Sequence, residues 1–226
     1  MKSLLLQGDC YEQLDKLEDE SVGSVVADPP YLIDFMNKGW DSADNIAASP
    51  KLYKKLLTKM KPGGYVALFG HSRTHHRIMV ALEEAGFELK DTLTWLYGQG
   101  FPKSHNISKS LDKQGKDGAK WEGYGTALKP AVEFIVLAQK PRKGTYANNT
   151  STYGVGGLNI DECRVSTTDK VTTHSRSKEA GDRQKTAGLM CCWGEIEKTN
   201  QTEGQKIGRF PANLILSHSD GCVKVG

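Results

Sequence analysis

The apolar, β-branched stretch "SVGSVVAD" (21–28) runs straight into two prolines and an aromatic, so that Asp28, Pro29, Pro30 and Tyr31 follow one another. Each proline fixes its own φ, removes an N–H donor and biases the residue before it toward extended backbone, which predicts a stiff loop with outward carbonyls. Asp28 adds a carboxylate, an acceptor only when ionised, and Tyr31 adds a flat face. Acceptors without donors, beside a stacking plane, suit the exocyclic amino group of a nucleobase, which has two N–H donors next to a π surface. Hydrogen bonds from both protons favour a more pyramidal nitrogen, whose lone pair can attack an electrophilic methyl carbon. The same acceptors stabilise the positive charge that develops on nitrogen. The four residues alone leave a second reading open, a Pro-Pro turn closing a strand.

The elements that must position this loop follow from patterning. "SVGSVVAD" and "GGYVALFG" (63–70) read as buried strands of a parallel sheet. Between them "SPKLYKKLLTKMKPGG" has a Ser cap, Pro at the first turn and a Pro-Gly-Gly stop, which predicts a helix. A further helix over "SRTHHRIMVALEEAG" (72–86) and an extended segment over "FELKDTLTWLYG" (87–98) continue an α/β alternation. An acid at the carboxyl end of a parallel strand faces the crevice where open α/β sheets bind ligands. From Gln99 to Tyr124 the pattern lapses into a long polar loop; "PAVEFIVLAQK" (130–140) and "GRFPANLILSH" (208–218) read again as strands. Residues 141–206 are more polar still, with apolar positions such as Leu189 and Trp193 thinly scattered, and are expected to be an insertion that orders on a partner.

Composition sets the outer bounds. The 226 residues are 38% hydrophobic with a formal charge of +3, which suits a soluble globular protein of one large domain, with or without a smaller insertion. No apolar run reaches the roughly 18 residues of a membrane span, and the start is too short in apolar residues for a secretory signal, so a cytoplasmic location is expected. Five cysteines without a C-x-x-C pair indicate neither a disulfide framework nor a zinc knuckle; Cys191 and Cys192 beside Trp193 are read as an apolar anchor. His71 and His75 stand four apart, a spacing that binds metal, but lack a third ligand, and no metal is expected.

Residues 101–150 carry 9 Lys/Arg against 4 Asp/Glu, the strongest basic bias in the chain. Lys103 and Lys109, with His105, Lys113, Lys116 and Lys120, form a basic loop suited to phosphate contact or to a solvated face. Arg142, Lys143, Asn148 and Asn149 are candidates for reaching base edges, because Arg suits guanine and Asn suits adenine.

The stretch "LLLQGDCYEQLDKLEDESVGSVVADPPY" resembles the opening of the β-group DNA amino-methyltransferases, in which G-D-C precedes a D-P-P-Y or S-P-P-Y loop at similar spacing. "KPGGYVALFG", "GQGFPKSHNISKSLD", "YGTALKPAVEFIVLAQKP", "YGVGGLNIDECRV" and "GRFPANLI" extend the likeness to phage and prophage members and to essentially the whole chain. The resemblance implies a partial Rossmann-like α/β sheet of an S-adenosylmethionine-dependent methyltransferase: a catalytic portion over 1–140 with its basic loop at 99–124, a target-recognition insertion over 141–206, and a return to the core over 207–226. It implies that Asp28, Pro29, Pro30 and Tyr31 surround a flipped base in double-stranded DNA, and that Asp9 and Cys10, with Asp28, hold S-adenosylmethionine. On the residues alone, Asp9 serves equally well as a helix cap before "YEQLDKL".

D-P-P-Y is used mainly by adenine-N6 members and S-P-P-Y more by cytosine-N4 members, so adenine is the expected target, with cytosine-N4 and a non-catalytic DNA-binding remnant as alternatives. The resembled family also requires an F-x-G-x-G loop after a strand. "TYGVGGLN" (152–159) is its one imitation and follows a polar stretch instead. The rest of the cofactor site is therefore expected from a C-terminal segment or a second polypeptide, with a homodimer also open.

Overall fold

The computed structural model describes residues 3–34, 39–98, 100–167, 173–174, 199–200 and 203–217. Contacts divide the chain into one unit of Met1–Gly157 with Asn213–Gly226 and another of Leu158–Ala212. Residues 141–157, assigned from their polarity to the insertion, thus belong to the sheet-bearing unit. Cys191, Cys192, Leu189 and Trp193 lie outside the described residues.

The sheet-bearing unit contains, in chain order, α1 (Cys10–Gln13), β1 (Val22–Ala27), α2 (Pro50–Lys59), β2 (Met60–Gly70), α3 (His75–Ala85), β3 (Glu88–Leu96), α4 (Ile107–Lys113), β4 (Val132–Gln139), α5 (Tyr146–Tyr153) and β5 (Leu214–Leu216). Its five strands lie in the order β1-β2-β4-β3-β5. β1 and β2 pair in parallel, as do β3 and β5, whereas β4 runs antiparallel to β2 and β3. The expected α/β, Rossmann-like alternation is present, with one strand reversed. The reversal has a topological cause: the 97–131 segment leaves β3 and re-enters β4 at the same edge, so no crossover carries the chain back across the sheet.

Helix boundaries follow local chemistry. Ser49 accepts from the Lys51 N–H, Pro50 occupies the first turn of α2, and Tyr53 and Leu56 turn inward. α3 stops at Gly86, whose φ of 101° closes a left-handed cap, with the Phe87 N–H reaching the Leu82 carbonyl. The core joins Tyr53 and Leu56 of α2 and Ile78, Ala81 and Leu82 of α3 to Met60, Val66 and Leu68 of β2 and Val136 and Ala138 of β4. Alternate residues of β2 and β4 supply this face, as strand periodicity requires.

α5 is fastened by a buried amide. The Asn149 side chain is fully buried; its Nδ2 donates to the Pro62 and Val155 carbonyls and its Oδ1 accepts from the Lys143 N–H. Gly63 has φ +79°, and a Cβ there would lie 2.3 Å from Asn149 Nδ2, so conformation and space both call for glycine. Asn149, expected to reach base edges, is thus sealed inside the unit. "TYGVGGLN" is the C-terminus of α5, capped by Gly154 at φ 71°, and not a strand-to-helix turn.

In the second unit, Val165 and Arg209 exchange backbone hydrogen bonds of 3.1 and 2.8 Å. Arg164 pairs with Asp161 at 2.7 Å, donates to the Gly208 carbonyl and lies over the Phe210 ring. Thr173–His174 pairs antiparallel with Thr199–Asn200.

Candidate active site

The register places the end of β1, the ends of β2 and β3 and the start of β4 at one edge, since Ala27 pairs with Leu68, Gly70 with Phe134 and Leu96 with Val132. Asp28, Pro29, Pro30 and Tyr31 leave β1 at this carboxyl edge, with Asp28 exposed and Tyr31 half-buried. The Tyr31 hydroxyl donates to Glu133 Oε2 on β4 at 3.3 Å, and the Thr74 hydroxyl donates to the Tyr31 carbonyl. The His71 ring stands 6.3 Å from the Tyr31 ring. Burial first, then the carboxylates of Glu133 and Asp28, push the Tyr31 phenol well above its ordinary pKa. Tyr31 is therefore a neutral donor, and its hydroxyl bond fixes the plane that its ring offers. Burial, aided by Arg73 and His75 and opposed by Asp41, lowers the His71 pKa.

The backbone after Tyr31 is unusual. Leu32 has φ 60° and Asp34 φ 52°, in the left-handed region that non-glycine residues seldom occupy. Asp41, 1% exposed, accepts from the Leu32 N–H at 2.7 Å and the Ile33 N–H at 3.3 Å, while its own carbonyl takes the Asp34 N–H at 3.0 Å.

The other expected residues divide by edge. Asp9 Oδ1 caps α1, accepting from the N–H groups of Tyr11 and Glu12, so the capping alternative describes this oxygen. Neither bond uses Oδ2, so the residue retains an acceptor suited to an adenine amino group, and Cys10 beside it is exposed. α1 packs along the N-terminal half of α2, where Lys55 donates to the Tyr11 carbonyl and lies over the Tyr11 ring. Because β1 delivers the chain to the carboxyl edge and α2 carries it back, this flank adjoins the Asp28 loop.

Lys103 and Lys109 are exposed on the 97–131 arm, which projects from that same edge. The arm is more ordered than its composition predicts. Asn106 caps α4 by accepting from the Lys109 N–H, Asn106 bridges to Gly125, and Ser104 Oγ accepts from the N–H groups of Thr126 and Ala127. Arg142 and Lys143 follow the other end of β4, where Gln139 pairs with Tyr65 and Glu88. The eight residues of β4 put them roughly 25 Å from the Asp28 edge, at about 3.3 Å per residue. There Arg142 stacks on Tyr146 at 4.2 Å, and Lys143 pairs with Glu20 at 3.3 Å. The structure therefore brings Asp28, Tyr31, Lys103 and Lys109 to one edge and separates Arg142 and Lys143 from them.

Glu133, Thr74, His71 and Asp41 join the site without having been assigned to it from the sequence. An acid inside the apolar run "AVEFIVLA" was a readable signal for Glu133. Thr74 and Asp41 reach the loop through tertiary approach, which no local spacing encodes. His71 and His75 instead make local contacts, the His75 ring nitrogen lying 3.2 Å from the His71 carbonyl.

Comparison with known proteins extends the reading from the site to the chain. Over an alignment of 260 residues it is 26% identical to the type II methyltransferase M.HindIII of Haemophilus influenzae, covering 95% of this chain and 79% of that protein. It is 26% identical over 111 residues to the type II methyltransferase M2.DpnII of Streptococcus pneumoniae, covering 42% of this chain and 41% of that one. A DNA modification methylase of Thermus thermophilus, TTHA0409, aligns structurally at 21% identity with a TM-score of 0.39, covering 62% of this chain and 55% of that one. A family model described as DNA methylase, N6_N4_Mtase, matches residues 22–218, from the start of β1 to just past β5, and the chain belongs to that family of DNA methylases.

Proposed function

We propose that the protein transfers a methyl group from S-adenosylmethionine to the N6 amino group of adenine in double-stranded DNA. The observation that carries this reading is the Asp28 loop itself. An exposed carboxylate stands at the carboxyl edge of a parallel strand beside an aromatic ring whose hydroxyl is tied to Glu133 and whose carbonyl is tied to Thr74. S-adenosylmethionine supplies a sulfonium-bound methyl carbon as the electrophile. Asp28 and the carbonyls of the loop accept from the two amino N–H groups and orient the nitrogen lone pair along the line of attack. As the N–C bond forms and the C–S bond breaks, Asp28 stabilises the charge on nitrogen and takes up the departing proton, which its exposure passes to water. Tyr31 stacks on the extruded base and offsets part of the roughly few kcal/mol needed to take it from the duplex. Lys103 and Lys109 hold phosphates on the same side of the sheet.

The free acceptor of Asp9 and the backbone of Cys10 fit the adenine end of the cofactor. The remainder of that site is proposed to come from a further segment or a second polypeptide pairing along β1. Support for this is that β1 is paired on one side, by β2, while Val26 is 75% exposed. Asp28→Ala in the intact protein is expected to abolish methyl transfer while duplex binding persists; near-normal turnover would refute the role. Nucleoside analysis of the methylated DNA separates N6-methyladenine from N4-methylcytosine, the other product within this family.

A further inference from the structure

We propose that Asp41 is a positioning residue for methyl transfer, holding the turn that follows Tyr31 so that its ring meets the extruded base; the inference rests on the methyltransferase reading. Three observations carry it. The carboxylate is buried, and its two oxygens accept from the N–H groups of consecutive residues, Leu32 and Ile33, immediately after the catalytic tetrapeptide. Leu32 also buries its side chain, at 4% exposed, and adopts φ 60°, a conformation that a leucine keeps only when its surroundings hold it. The Thr74 bond to the Tyr31 carbonyl lies directly before this pair, so anchors on either side of the Tyr31–Leu32 peptide fix how the ring leaves the backbone.

The proline pair stiffens the loop only up to Tyr31. Prolines restrict their own φ and the residue before them, leaving the residue after them unconstrained. The backbone from Tyr31 to Asp34 has no such covalent restraint and is strained at two positions. Asp41 supplies the missing restraint from a separate turn, the short helical segment Gly39–Asp41. Asn45 braces that segment in turn by donating to the Trp40 carbonyl at 2.6 Å.

The test compares Asp41→Asn and Asp41→Ala in the intact protein, using steady-state methyl transfer to duplex DNA and amide hydrogen exchange of the unliganded protein. Asn keeps the shape and one acceptor. Its kcat is expected to fall about 10-fold and that of Ala about 100-fold, in keeping with the penalty for misplacing a reacting group by about 1 Å. KM for DNA is expected to hold within about twofold, because phosphate contacts elsewhere supply most of the affinity. Exchange should rise at Leu32 and Ile33 while β2 and β4 stay protected. Unchanged kcat in both variants, slow exchange at the two amides, or a loss confined to KM would overturn the assignment, as would global unfolding of the Asn variant. If the unmodified protein methylates no DNA, the methyltransferase reading falls and Asp41's catalytic assignment falls with it. Activity that is indifferent to Asp41 removes the assignment alone.

Discussion

The bond between the Tyr31 hydroxyl and Glu133 makes a quantitative demand on the site. At 3.3 Å it is long for O–H···O, and it is only partly buried, so it belongs below the roughly 1.5–3 kcal/mol typical of bonds to charged groups, at about 1 kcal/mol. Tyr31→Phe and Glu133→Leu each remove that one interaction and should each lower kcat/KM about 5-fold. Because they remove the same bond, the double variant should also lose about 5-fold, whereas independent roles would multiply to about 25-fold. Tyr31→Ala loses the ring as well, adding roughly 1–3 kcal/mol of base stacking and bringing the loss to about 30- to 900-fold. The assay is single-turnover methylation of a duplex of fixed sequence with labelled cofactor, with melting temperature confirming that each variant folds. A multiplicative double variant, or a Phe variant as impaired as Ala, would refute the idea that Glu133 acts by orienting the Tyr31 ring.

Three further expectations reach other parts of the molecule. Asn149→Ala leaves the Lys143 N–H and the Pro62 and Val155 carbonyls without their side-chain partner and should destabilise the protein by about 2–4 kcal/mol, read from the urea midpoint; a change near zero would mean water replaces the amide. Lys103→Ala and Lys109→Ala should each lower the slope of log affinity against log salt by about 1, whereas Arg142→Ala, stacked on Tyr146 at the far edge, should leave it unchanged; an equal effect of Arg142→Ala would contradict the division of the edges. Since burial lowers the His71 pKa, the unfolded chain binds that proton more readily than the folded one. Its stabilising contribution is complete above the unfolded value near 6.5 and declines as pH falls through the lower folded value, so His71→Gln should flatten the acid side of the stability profile measured by denaturant titration.

What the sequence disclosed and what it withheld follow a physical division. Strands and helices whose signals are local were readable: Ser49 and Pro50 opening α2, Gly86 closing α3, and the apolar runs of β1, β2, β4 and β5. The Asp28 loop was readable for the same reason, since two consecutive prolines after a strand restrict the backbone whatever surrounds them. The reversed direction of β4 was not, because a strand's apolar pattern is identical read either way. Its direction is set by where the 97–131 arm returns, and Asn106, Ser104 and Thr126 order that arm through contacts 19 to 23 residues apart. Arg142 and Asn149 were misplaced for a related reason. A polar side chain has the same composition whether it faces a phosphate or satisfies a buried carbonyl, and only tertiary packing decides between them.

The division bears on the site directly. Its reacting groups lie in one continuous stretch and were legible, whereas the groups that aim them, Thr74, Glu133 and Asp41, come from three other segments of the fold. A loop stiffened only by its own prolines would present Asp28 correctly but leave the Tyr31 ring free to turn. The base would then meet acceptors without a fixed plane, and the alignment of lone pair and methyl carbon on which the rate depends would be lost. Restraint of the backbone beyond the prolines must therefore come from elsewhere in the chain, and the buried carboxylate of Asp41 holding two consecutive N–H groups is the contact placed to supply it.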